Sequence, residues 1–138
     1  MAKTKTDILN LLLSADLTKV KIPEKKVKIE RLSEDLGVDV LFTCRAIAPD
    51  KMEEIQENAM RMVNGEPDLD ITEMQIFTVI EGVKDPNLKD KELREKFNAL
   101  TPKELVNKLL LPGEISRLYR IISDLSGFGD KAVTEVKN

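Results

Sequence analysis

The chain has 138 residues and a mass of 15.6 kDa, the size of one domain able to bury roughly two thirds of its unfolded surface. Charged residues make up 34% and hydrophobic ones 41%, which fits neither wholesale disorder nor a membrane protein. There is no histidine and a single cysteine, Cys44; this removes the commonest general base, the Ser-His and Cys-His pairings, any intramolecular disulfide and any Cys-rich metal site.

Such cysteine usage suits a reducing cytoplasm. The net charge of -3 is unevenly placed: residues 1–31 carry eight Lys/Arg against four Asp/Glu, and residues 32–138 carry fourteen against twenty-one. Lys3 and Lys5 precede the apolar run Ile8-Leu9-Asn10-Leu11-Leu12-Leu13, a pattern that could be taken for a secretion signal. The run is interrupted by Asn10, flanked by Asp7 and Asp16, and shorter than the ~7 to 15 apolar residues a signal needs or the ~20 of a membrane span. It is expected instead to be a short amphipathic helix within residues 1–19, docked on the core.

Val20-Lys21-Ile22-Pro23 is extended by its β-branched residues and proline. In Lys26-Val27-Lys28-Ile29-Glu30-Arg31 the apolar positions fall at period two, and Val38 to Ala46 is a second β-rich run. Because a parallel pair needs a crossover of a dozen or more residues, residues 20–46 are expected to form an antiparallel hairpin, with Ser33 to Gly37 as its loop. Two strands alone are marginal and must pack on helices.

The rest reads as helical. Asp50 with Glu53 offers capping chemistry, and Met52, Ile55, Ala59 and Met62 recur at helical spacing until Asn64-Gly65. Ile71, Met74, Phe77, Ile80 and Val83 continue a loose helical stripe whose β-branched content leaves a strand open as the alternative. Asp85-Pro86-Asn87 breaks the chain, and Leu93, Phe97 and Leu100 suggest a short helix. Thr101-Pro102-Lys103-Glu104 sets a capping threonine, a proline at the first helical position and a glutamate two residues on. The helix it starts ends at Pro112-Gly113. A last one carries Ile115, Leu118, Ile122 and Leu125 on one face and closes at Ser126-Gly127-Phe128. The expected architecture is α+β and mainly helical: a hairpin at 20–46 packed on about five or six helices, the helical part being 50–128, within one domain of residues 1–128. Residues 129–138 are expected to be a flexible tail.

Candidate sites are few, and each has a plain structural reading. Cys44, beside Arg45 but with no histidine to activate it, reads as core packing. Asp68, Asp70 and Glu73 lack the glycine and register of a calcium loop and read as solvated acids and a helix cap. Gly127-Phe128-Gly129-Asp130-Lys131 lacks the strand and helix that flank a phosphate loop and reads as a helix stop. Lys19, Lys21, Lys25, Lys26, Lys28 and Arg31 could contact phosphates, but no aromatic residue stands among them to stack bases; lysines guarding a strand edge are the better account, against nucleic-acid binding. Met52, Met60 and Met62 could form an adaptable apolar surface, with Met52 and Met62 expected in the core and Met60 off the main stripe. No metal, cofactor or catalytic set emerges, which favours a non-enzymatic interaction protein.

Three stretches together resemble a known family. Leu109-Leu110-Leu111-Pro112-Gly113-Glu114-Ile115, continued by Leu118, Ile121, Ile122 and Leu125-Ser126-Gly127-Phe128, is similar to the C-terminal signature of phage tail assembly chaperones of the XkdN type from Bacillus prophages. Glu81-Gly82-Val83-Lys84-Asp85-Pro86-Asn87-Leu88 resembles the family's central segment, and Lys28 to Ile55 its strand-strand-helix opening. The resemblance, over about residues 20–128, implies a cytoplasmic chaperone that binds the helix-rich tape measure protein and helps recruit tail tube subunits. It implies no catalytic residue and no cofactor, membrane or nucleic-acid partner; a homo-oligomer stays open. Met52, Met60, Leu118 and Ile122 are the expected partner-binding residues, as walls of an apolar groove. A small structural component kept in the virion is the alternative.

Overall fold

The computed structural model describes residues 7–137; Lys3, Lys5 and Asn138 lie outside them. Helix α1 (Ile8–Leu13) and a single 3-10 turn (Leu17–Lys19) lead into strand β1 (Glu24–Lys28), and helix α2 (Glu30–Leu36) connects it to strand β2 (Leu41–Arg45). Helix α3 (Pro49–Ala59) runs into a hairpin of β3 (Met60–Val63) and β4 (Glu66–Leu69). Helix α4 (Ile71–Gly82), strand β5 (Val83–Asp85) and helices α5 (Lys91–Lys96), α6 (Pro102–Leu109) and α7 (Pro112–Ser123) complete the body. A π-helical turn follows over Asp124–Phe128.

Strands β1 and β2 pair antiparallel, as expected, and the register sets Val27 opposite Phe42. Their connection is a helix and not a loop, however, and Glu30 and Arg31 belong to that helix. The Ser33 hydroxyl donates to the Ile29 carbonyl at 2.8 Å and accepts from the Val40 N–H at 2.8 Å, which closes the connection without an orphaned polar group. Gly37, at φ 75°, ends α2 in the left-handed conformation that glycine adopts without cost. β5 joins the other side of β2, so the sheet order is β1-β2-β5 and β1 is an edge.

Helix α4 is the hub, and the open choice for residues 71–83 resolves as helix through Gly82. Asp70 accepts from the Glu73 N–H at 3.1 Å and caps it. Ile76, Val79 and Ile80 are buried, with Thr78 turned back to the Met74 carbonyl at 2.7 Å. They meet Phe42, Cys44, Leu105, Val106, Ile115, Leu118 and Ile122 in one core. Where α4 ends, Gly82 lies so close to α7 that a Cβ there would fall 2.5 Å from Ile122 Cδ1. Thr101 caps α6 as expected, accepting from the Glu104 N–H at 3.1 Å.

Two expectations fail here. Residues 60–63 are not the end of a helix: α3 stops at Ala59 and the chain turns through Asn64 (φ 52°) and Gly65 (φ 81°), the pair of left-handed residues that a tight hairpin turn requires. The strands are therefore not confined to residues 20–46. Helix α1 is not docked on the core, since none of its residues is buried.

Candidate partner-binding surfaces

Two apolar-floored grooves and one hairpin face offer themselves to a partner. The first groove, about 500 Å³, lies between the β1–α2 junction and α7, with Val27, Ile29, Leu118 and Ile121 lining it and Arg31, Glu114 and Arg117 at its rim. Arg31 is fixed there: its Nε donates to Glu114 Oε2 at 3.0 Å and its Nη2 to Glu114 Oε1 at 2.8 Å and to the Leu109 carbonyl at 2.9 Å. Glu114 also accepts from the Leu111 N–H at 2.8 Å, so one carboxylate caps α7 and anchors α2 to it. The guanidinium beside Glu114 holds its carboxyl below the ordinary glutamate value.

The second groove, about 390 Å³, runs between α3, α4 and α7, where Met52, Met74, Tyr119 and Phe128 supply apolar surface and Gln56 and Arg120 polar edges. Ser126 holds its end in place, accepting from the Ile47 N–H at 2.9 Å and donating to the Ile122 carbonyl at 2.7 Å. Thioether and aromatic side chains suit an adaptable contact because methionine repacks against varied shapes.

The β3–β4 hairpin projects past α3. Met60 faces Leu69 and Met62 faces Pro67 across it, whereas Arg61 and Asp68 pair on the other side at 3.3 Å. Side chains alternate along a strand, so the hairpin carries one apolar and one charged face, with Met60 49% and Met62 66% exposed.

The four expected partner residues are thus not brought together. Met52 is half-buried in the second groove, and Met60 is exposed on the hairpin. Leu118 is 2% exposed, at the floor of the first groove, and Ile122 is 0% exposed against Gly82; a side chain so enclosed serves packing, and Ile122 is not a groove wall. Met62, expected in the core, is at the surface instead. The spacing that put Leu118 and Ile122 on one face of a helix is the same for a core stripe as for an exposed one.

The remaining sequence candidates have structural partners. Cys44 is fully buried between β1 and β5, and burial pushes its thiol up to about 11. Asp68 and Asp70 bind Arg61, and Glu73 pairs with Lys103. In the basic run, Lys28 lies 3.3 Å from Asp39 and Arg31 is held by Glu114; Lys19, Lys21, Lys25 and Lys26 are exposed. Gly127, at φ 93°, is the helix stop expected of it. Among the described residues no group of three or more acidic or cysteine side chains is placed to hold a metal, and no helix is long and apolar enough to cross a membrane.

The chain belongs to the phage XkdN-like tail assembly chaperone family, whose model matches residues 9–138. It is similar in fold to the crystal structure of the protein yqbn, with a TM-score of 0.64 and 25% identity, over 79% of this chain and 88% of that one. No functionally curated protein matches it. Membership in a chaperone family points to binding within phage tail assembly rather than to catalysis.

Proposed function

We propose that the chain acts in the host cytoplasm as a reversible chaperone of the tape measure protein, covering its apolar helical stripe before tail tube subunits assemble around it. The observation that carries this reading is the apolar surface left exposed by a chain of this family: Met52 in the groove between α3, α4 and α7, and Met60 on the hairpin that follows α3. A long helix with an unburied stripe aggregates, and an amphipathic helix lays such a stripe into a groove of this kind. Methionine tolerates variation along a repetitive partner.

Co-expression of the tagged chain with the tape measure protein of the same tail cluster, followed by pull-down and gel filtration in high salt, tests this. Co-elution is expected to survive the salt, because apolar burial is not screened. A tape measure protein that is soluble alone and never co-elutes overturns the reading; presence of the chain in purified virions would favour the structural-component alternative.

A further inference from the structure

Strand β1 pairs with β2 on one side and with no strand on the other. The Ile29 N–H donates to the Val40 carbonyl and the Ala46 N–H to the Pro23 carbonyl, both at 3.0 Å, so the odd-numbered residues of β1 are the ones bonded to β2. In an antiparallel pair the alternate residues turn their main-chain groups the other way. The N–H and C=O of Glu24, Lys26 and Lys28 therefore point away from β2, and among the described residues nothing pairs with them.

The same edge is basic. Lys19, Lys21, Lys25 and Lys26 are exposed and have no ion pair among the described residues, whereas Lys28 is held by Asp39. Glu24, the one carboxylate between Leu17 and Lys28, is neutralised by Lys84 at 2.8 Å. Because side chains alternate along a strand, Lys25 and Lys26 stand on its two opposite faces.

We propose that β1 takes up an extended acidic segment of a partner protein as a further strand of the sheet. The outward N–H and C=O groups bond the segment's main chain, and Lys25 and Lys26 meet its carboxylates. A nucleic acid fits the charge but not the edge: its phosphates accept hydrogen bonds and leave the outward carbonyls unmet, and no aromatic side chain stands from Lys19 to Lys28 to stack a base. A second copy fits the edge but not the charge, since β1 against β1 sets lysine near lysine and like charges on facing strands repel. Edge lysines thus bar the chain's own kind while admitting a strand of opposite sign. This edge shares no residue with the groove around Met52 or with the hairpin carrying Met60, so the proposal does not rest on the tape measure reading.

Titration of the full chain at low salt with a short capped peptide of alternating glutamate and valine, followed by amide NMR, tests this. The amides of Glu24, Lys26 and Lys28 are expected to shift and to exchange more slowly. Lys25→Glu with Lys26→Glu, both exposed positions, is expected to stay folded and to weaken binding by roughly tenfold. The same peptide N-methylated along its backbone is expected not to bind, because it keeps the charge and loses the main-chain donors. No shift along β1 up to millimolar peptide overturns the proposal. So does equal binding of the N-methylated peptide, which would mean charge without strand pairing, and so does equal binding of a glutamine–valine peptide. A DNA oligonucleotide that shifts the same amides more strongly than the peptide would assign the edge to nucleic acid and overturn it as well.

Discussion

Arg31 at the start of α2 and Glu114 in the first turn of α7, 83 residues apart in the chain, form a two-pronged ion pair at 3.0 and 2.8 Å. The same carboxylate accepts the Leu111 N–H, and the same guanidinium reaches the Leu109 carbonyl. One pair of side chains therefore positions the β1–α2 junction against the α6–α7 corner and shapes the first groove between them. Partial exposure of Arg31 limits its worth, and Glu114→Gln is expected to cost about 1–2 kcal/mol. Since Arg31 lowers the Glu114 carboxyl in the folded chain, this stabilisation is complete above the unfolded glutamate value and is lost as pH falls through the folded one. Urea unfolding between neutral and acid pH is expected to show a gap between wild type and Glu114→Gln that closes on acidification; a constant gap would assign the cost to packing alone.

The contact of Gly82 with Ile122 predicts strong coupling. A methyl at Gly82 meets three atoms of a fully buried, β-branched side chain, with no flexible end to give way. Gly82→Ala is expected to destabilise by about 1–2 kcal/mol, the overpacking outweighing the better helix propensity of alanine. In that background Ile122→Ala is expected to cost clearly less than it does in the wild type. Additive costs in denaturant titrations would mean that the two positions do not compete for space.

How much of this was legible from sequence depended on local chemistry. Thr101-Pro102-Lys103-Glu104 specifies its helix start through neighbours within one turn, and the structure keeps it. The antiparallel pairing of β1 with β2 was legible because alternation survives whatever joins the strands, while the helix between them was hidden by Ile29, which ends the strand pattern and precedes α2. Met62 fell on a helical spacing by coincidence and drew Asn64-Gly65 into the role of a helix stop, although Asn-Gly between two short runs is also a hairpin signal. β5 has three residues and owes its pairing to β2, which no local pattern reports. For the site, periodicity found the apolar faces but could not say which were covered: Leu118 and Ile122 are enclosed in the core, whereas Met60, opposite Leu69 on the hairpin, is 49% exposed.

The hairpin can be loosened without touching the core. Gly65, at φ 81°, tolerates a side chain only with strain, so Gly65→Val is expected to cost about 1 kcal/mol or more. The loss is expected to appear as faster amide exchange over Met60–Leu69, with the exchange of Ile76, Val79 and Ile80 following global stability. If Met60 meets the partner as proposed, Met60→Asp is expected to abolish co-elution with the tape measure protein while moving stability by no more than ~0.5 kcal/mol, as exposed substitutions do. Retained co-elution would restrict the partner to the groove around Met52.

Cys44 is a built-in reporter of global unfolding. It lies fully buried in β2, the central strand of the sheet, opposite Lys25 on one side and Val83 on the other, and with its thiol pushed up to about 11 only about a thousandth of it is ionised at pH 8. A thiol reagent is therefore expected to find no reactive form in the folded chain and to react only through opening of the sheet, so that labelling rates across a denaturant series track the global equilibrium. The same shift carries a pH dependence. A thiol raised above its ordinary 9.0 in the folded state keeps its proton where the unfolded chain loses one, so stability is unaffected below the unfolded value and falls as pH rises toward the folded one. Cys44→Ala leaves a small cavity and is expected to be less stable at neutral pH, but with a shallower decline between pH 9 and about 11 than the wild type. Parallel declines for the two chains would show that Cys44 titrates alike in both states, and rapid labelling in the absence of denaturant would show that β2 is open to solvent.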